Sequence, residues 1–170
     1  SKVVFDAPAT GHLKTLIDVP EATLKAVLVG PLNHNARKIQ DLLINPERTR
    51  VVLTTLAEEM AVREALELEA FLRERRMGVG PMIINQRVPT RFGPEEIRAL
   101  ASVTEPGPAL SAAIEAARSE FELAASQDAS LQLLEGEKCT LLQLPRIIDH
   151  EPAALLNGLV AQLHAQVSDG

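Results

Sequence analysis

Four brief apolar runs stand out along the chain: Val3 to Asp6, Arg50 to Thr54, Pro81 to Asn85 and Thr140 to Leu144. Each is aliphatic or β-branched and does not alternate with polar residues. Continuous apolarity over four to six positions suits a strand covered by helices on both faces, so the runs predict a buried, mainly parallel sheet. Between them apolar residues return at helical spacing. Ala61, Ala65, Leu68 and Leu72 form a stripe within Met60 to Met77. Leu110, Ile114, Ala117, Phe121 and Ala124 form a second, and Leu155, Leu156, Leu159, Leu163 and Val167 a third. All three read as core faces.

Local signals mark the helix ends. Thr55 and Glu58 match a capping box ahead of the first stripe. Gly93-Pro94-Glu95-Glu96 and Glu151-Pro152 place proline where a first helical residue tolerates its missing N–H. Glu21 to Asn45 predicts two helices broken at Gly30-Pro31, because proline removes a hydrogen bond and clashes with the preceding turn. Thr104 to Pro108 reads as a loop. Strand and helix alternate along the chain, the pattern of a doubly wound α/β sheet with right-handed crossovers.

Composition narrows the function classes. With 170 residues, 46% apolar and 24% charged, the chain suits one compact domain and contains no apolar run long enough for a membrane span. Its net charge is −6, its basic residues are dispersed and it has no Trp or Tyr, which argues against a nucleic-acid partner. Cys139 is the single cysteine; within Cys139-Thr140-Leu141-Leu142 it reads as a buried thiol in a reducing, cytoplasmic compartment. The opening Ser1-Lys2, without Met or a leader, reads as a piece of a longer chain.

Candidate chemistry gathers at strand ends. The first run ends in Asp6, followed by Ala7-Pro8-Ala9-Thr10-Gly11-His12. In an open parallel sheet ligands bind beyond the carboxyl ends of the strands, and an aspartate there can hold Mg²⁺ directly or through water. Pro8 and Gly11 would shape a turn whose amides sense a phosphate; alternatively, Asp6 simply caps that turn. Asn85 ends the third run, either as a base-reading amide or as a turn former. His12, His34, His150 and His164 lack ligand spacing. Asp149, His150 and Glu151 precede a helix start, where acidic residues complement its dipole. Glu58 and Glu59 point about 100° apart on a helix and make no acid/base pair.

Val3-Val4-Phe5-Asp6-Ala7-Pro8-Ala9-Thr10-Gly11-His12 resembles the strand and switch II loop of the ArsA-type anion-transporting ATPases, deviant P-loop ATPases. Asn45-Pro46-Glu47-Arg48-Thr49 leading into Val51-Val52-Leu53-Thr54-Thr55-Leu56-Ala57-Glu58-Glu59-Met60 resembles that family's Thr-Leu-Pro-Glu-Glu-Met stretch, with Ala57 in place of proline. Met82-Ile83-Ile84-Asn85-Gln86-Arg87-Val88-Pro89 resembles its later strand ending in Asn-Gln, and Gln143-Leu144-Pro145 its last strand. The segments follow the family's order but cover only the second half of its domain.

The resemblance implies a partial P-loop NTPase-like fold: residues 1–170 as the C-terminal part of one ATPase domain, with residues 21–46 as a helical insertion. It implies ATP and Mg²⁺ as cofactors. Asp6 would lie on the Mg²⁺ side, Gly11 and His12 would belong to the switch that senses the γ-phosphate, Asn85 would bond the adenine, and Leu144 and Pro145 would flank it. No Gly-x-x-x-x-Gly-Lys-Ser/Thr loop occurs in the chain, so this segment alone is expected to be inactive. Its partners would be ATP and either a second copy or a P-loop-bearing chain. The alternative is a P-loop-less interaction or scaffold module. The zinc-binding Cys-x-x-Cys of one branch and the arsenite-binding cysteines of another are missing.

Overall fold

The structure is a computed structural model and describes residues 2–137, 139–148 and 151–168. It is α/β, with a three-stranded parallel sheet flanked by helices. The elements run α1 (Thr10–Ala26), α2 (Pro31–Ile44), β1 (Val51–Leu56), α3 (Glu59–Glu74), β2 (Val79–Arg87), α4 (Pro94–Ala101), α5 (Pro108–Leu131), a short 3₁₀ turn (Gln132–Leu134), β3 (Leu141–Pro145) and α6 (Pro152–Ser168). The sheet order is β1-β2-β3. In the β2/β3 pair Met82 lies opposite Leu141, Ile84 opposite Gln143 and Arg87 opposite Pro145.

Three of the four apolar runs are strands; the first is not. Residues 2–9 carry no regular structure, and Val3, Val4 and Phe5 are 89%, 95% and 68% exposed. A strand exists only through hydrogen bonds to a neighbour, and a four-residue apolar run supplies none for itself. The strands that do form alternate in burial, unlike the doubly covered strands the runs predict. Leu53 and Thr55, Met82 and Ile84, and Leu142 and Leu144 are buried, while Val52, Thr54, Leu141 and Gln143 are exposed. One face of the sheet is therefore buried, and the other is exposed on β1 and β3 and part-exposed on β2.

The predicted capping box is also absent. β1 runs through Thr55, whose hydroxyl bonds the Leu56 carbonyl oxygen, and α3 begins only at Glu59. By contrast Pro94 and Pro152 do open helices, and Glu96 Oε2 accepts from the Gly93 amide at 2.6 Å. The break at Gly30-Pro31 is present, but α1 starts at Thr10 and passes through Pro20 rather than starting after it. Thr10, Gly11 and His12 thus form a first helical turn instead of a loop.

The chain divides into two compact units. The first comprises Ser1–Leu53 with Glu64–Pro81. Here α1 packs on α2, and the C-terminal half of α3 contributes the buried Leu68 and Leu72. Arg75 donates to both Asp18 oxygens, at 2.5 and 3.1 Å, and lies 3.5 Å from the Phe71 ring centroid. The hydrogen bonds to Asp18 hold the Arg75 pKa above its ordinary value; desolvation opposes them, and the charges of Asp18, Glu74 and Glu21 support them. A raised basic pKa means a contribution fully present below the unfolded arginine value and lost only as pH rises through the higher folded one. This tie therefore adds no pH dependence of its own near neutrality. Gly78 is required by close approach: a Cβ there would lie 3.0 Å from the Thr49 carbonyl oxygen and 3.3 Å from Pro46 Cα.

The second unit comprises Thr54–Arg63 with Met82–Gly170. α4 packs on α5, and α6 packs on β3. The second stripe is core only in part: Ala117 and Ala124 are buried, whereas Leu110 is exposed; Gln127, outside the stripe, is buried on the same helix. The third stripe is not core, since α6 has no buried residue and Leu156, Val160 and Val167 are exposed. Cys139 is partly exposed rather than buried. Asp149 and His150 lie outside the described residues.

Candidate functional site

The predicted site residues fall in both units and are described unit by unit. In the first, Asp6 lies in the irregular segment ahead of α1, exposed, and its carboxylate makes no hydrogen bond or ion pair with the described residues. Gly11 and His12 stand in the first turn of α1, both exposed. The amides of a first helical turn lack intrahelical acceptors and favour anions, so a helix start here replaces the phosphate-sensing turn predicted from sequence. His12 borders an open, mainly apolar cleft of ≈ 530 Å³ with Pro8, Thr15, Leu16 and Val19.

In the second unit, Asn85, Leu144 and Pro145 come together where β2 and β3 end side by side. The pairing slips between Ile84 and Arg87, so Asn85 and Gln86 form a bulge. Bulges re-aim side chains at strand ends. Gln86 sits at φ 56°, the left-handed region that non-glycine residues seldom occupy. Its amide donates to Asn85 Oδ1 at 2.9 Å, which fixes the direction of the Asn85 side-chain amide. Oδ1 keeps a second lone pair, and Nδ2 makes no bond to the described residues. Asn85 and Pro145 are part-exposed. Leu144 is buried, so its side chain supports the strand end from the core rather than presenting itself to a ligand.

Sequence reasoning missed the residues that hold this corner. Gln127 and Asp128 from α5 reach the end of β2. Arg87 donates to Gln127 Oε1 at 3.0 Å, to Asp128 Oδ1 at 2.5 Å and to Gln143 Oε1 at 3.1 Å. A polar Gln at position 127 in register with the buried Ala117 and Ala124 was the available signal. A separate cavity of ≈ 400 Å³ between α4 and α5, lined by Ile97, Leu100, Val103 and Ile114 among others, contains none of the predicted residues.

Among the described residues no group of three His, Cys, Asp or Glu side chains could hold a metal ion. Mg²⁺ is commonly bound through one or two carboxylates plus waters and substrate phosphates, so a single free carboxylate at Asp6 fits that mode. Among the described residues no helix is long and apolar enough to cross a membrane.

In open parallel sheets ligands bind beyond the carboxyl ends of the strands, and the relatives that this chain matches are named as ATPases. The chain is 30% identical over 95 residues to the ATPase BagA of Mycobacterium tuberculosis, a match covering 56% of this chain and 28% of that protein. It is 38% identical over 81 residues to the arsenical pump-driving ATPase of Escherichia coli, covering 46% of this chain and 13% of that one. The matched stretch thus spans well under a third of these relatives. No protein-family model matches. The resemblance to ArsA-type ATPases drawn from the motifs is borne out by these matches.

Proposed function

We propose that these residues form the C-terminal part of a Mg²⁺-dependent ATPase domain of the ArsA type, supplying its switch II segment and its adenine-side edge. The observation that carries this reading is Asn85, set on a bulge at the carboxyl end of a parallel strand pair with its amide oriented by the Gln86 N–H. Likeness to BagA and to the arsenical pump-driving ATPase supports it. On this reading Asn85 hydrogen-bonds the adenine, Pro145 flanks the base and Leu144 backs it. Asp6 holds Mg²⁺ beside the phosphates, and Gly11 and His12 register the γ-phosphate at the start of α1. Bound Mg²⁺ would neutralise charge developing on the transferred phosphoryl group. The phosphate loop belongs to the remainder of the domain, and nucleotide state is converted into rearrangement of a dimer.

Phosphoryl transfer depends on positioning and electrostatics, most of which come from the phosphate loop and the metal. The 170-residue chain alone should therefore hydrolyse no ATP above background, whereas the completed domain should do so. In that domain Asp6→Ala should lower kcat at least about a hundredfold, since removing one electrostatic contact at a developing charge typically costs that much. Hydrolysis by the isolated chain that Asp6→Ala abolishes would refute the division of labour. Full activity in the Asp6→Ala domain would refute the metal role.

A second reading, a non-catalytic module that pairs with a P-loop-bearing chain, is favoured by the exposed Val3, Val4 and Phe5 and the uncovered apolar residues of α6. Co-purification with a separate P-loop chain, without one in the same polypeptide, would select it.

A further inference from the structure

In the first unit α1 and α2 pack as a helical hairpin joined by residues 27–30. The turn is held in place. The Asn33 side-chain amide donates to the Val27 carbonyl oxygen at 2.7 Å, Gly30 takes φ 103°, which glycine adopts without a Cβ penalty, and Pro31 opens α2 with its φ already suited to a helix. Leu28 and Val29 are thereby left at the tip, 80% and 83% exposed, with the exposed Leu32 beside them. Clustered apolar side chains rimmed by polar ones mark surfaces that meet a protein or a membrane.

The charge around this tip departs from that of the chain as a whole. Net charge is −6, yet residues 22–40 contain no Asp or Glu and do contain Lys25, Arg37 and Lys38. Lys25 is offset by Glu21, its ion-pair partner at 2.5 Å. Arg37 and Lys38 are exposed and make no ion pair with the described residues. They follow Leu32 at a distance of about 7–9 Å along α2, from a rise of about 1.5 Å per residue. An apolar segment seated at a membrane interface lies about 5–10 Å into the boundary between headgroups and acyl chains. With the tip at that depth, both cations stand level with the lipid phosphates. The tip is also convex, and a fluid bilayer receives a projecting turn without a preformed groove.

We propose that the α1–α2 turn is a membrane-surface contact: Leu28, Val29 and Leu32 enter the interface of an anionic bilayer while Arg37 and Lys38 hold its headgroups. The contact is peripheral, because the turn backbone lies outside both helices and hydrocarbon does not tolerate lipid-exposed irregular backbone. It stands apart from the nucleotide reading of Asp6 and Asn85.

The test is flotation of the full-length protein with vesicles of phosphatidylcholine alone or of equal parts phosphatidylcholine and phosphatidylglycerol. The protein should float with the anionic vesicles, and added salt should weaken the association. Leu28→Asp/Val29→Asp should lower the partition coefficient at least about tenfold, through lost apolar burial. Both positions are exposed, so the unfolding midpoint should not move and the loss cannot be one of folding. Arg37→Gln/Lys38→Gln should lower partition onto anionic vesicles about 25-fold, at roughly fivefold per basic residue, and leave partition onto phosphatidylcholine unchanged. Absence of flotation, equal flotation with both vesicle types, or full binding by either variant would each overturn the proposal. If the wild type floats with neither vesicle and the tip variant instead sediments as a smaller species, the tip meets another copy of the protein and the lipid contact is refuted.

Discussion

Leu72 shows how much of the first unit hangs on single side chains. It is fully buried, on the same face of α3 as the buried Ala65 and Leu68, and Glu69 beside it is buried only because Arg73 neutralises it from one turn away. Leu72→Ala would remove packed methyl groups and leave a cavity that its neighbours fill only in part. We expect a loss of about 2–5 kcal/mol in urea-unfolding free energy. The opposite situation holds at Asp6 and His12, which are exposed and carry little structure. Substituting them should leave the unfolding midpoint nearly unchanged, so a loss of activity there can be read as chemistry. Gln127 lies between these extremes, buried yet polar and bonded to Gln86, Arg87 and Val88.

At the scale of elements, β3 is an edge strand of the three-stranded sheet, and α6 covers it with a side chain rather than with another strand. Gln166 accepts from the Gln143 amide at 2.8 Å and donates to the Gln143 carbonyl oxygen at 2.7 Å, making both bonds that a neighbouring strand would make at that residue. An unpaired edge is a template for strand addition by another molecule. Gln166→Leu should therefore cost about 1–3 kcal/mol, for two hydrogen bonds lost at a part-exposed site. It should also increase self-association, seen as a concentration-dependent rise in sedimentation coefficient. Unchanged stability and sedimentation would mean that the edge is protected in some other way.

For the molecule as a whole, the balance of covered and uncovered apolar surface is the main feature. Besides Val3, Val4 and Phe5, the first unit exposes Leu28, Val29 and Leu32 around the α1–α2 turn, and the second exposes Ile148, Leu156 and Val167. Extended apolar surface of this kind drives association when nothing covers it. The isolated 170-residue chain should accordingly sediment as species larger than a monomer at micromolar concentration. Supplying the remainder of the proposed domain should shift it toward a single defined assembly. A stable, strictly monomeric chain would count against the view that these surfaces are normally covered.

The sequence by itself determined the existence and type of most elements. Three of four strands, the proline-marked starts of α2, α4 and α6 and the long α5 were legible because they follow from apolar spacing and from the geometry of proline, which are local. The motif order also carried the likeness to ArsA-type ATPases. What sequence could not decide was whatever depends on a neighbour. Val3 to Asp6 has strand composition but pairs with no strand among the described residues, the α6 stripe has core spacing but stays part-exposed although α6 packs on β3, and Thr55 continues a strand because β1 extends past the predicted helix cap. The corner around Asn85 divides in the same way. Asn85 was legible as a strand-end amide. Its surroundings were not, because they comprise a bulge, a left-handed Gln86 and Gln127 arriving from a helix some forty residues later. Hydrogen-bond partners across such separations are fixed by the packed fold, and a linear pattern of apolar and polar positions holds no record of them.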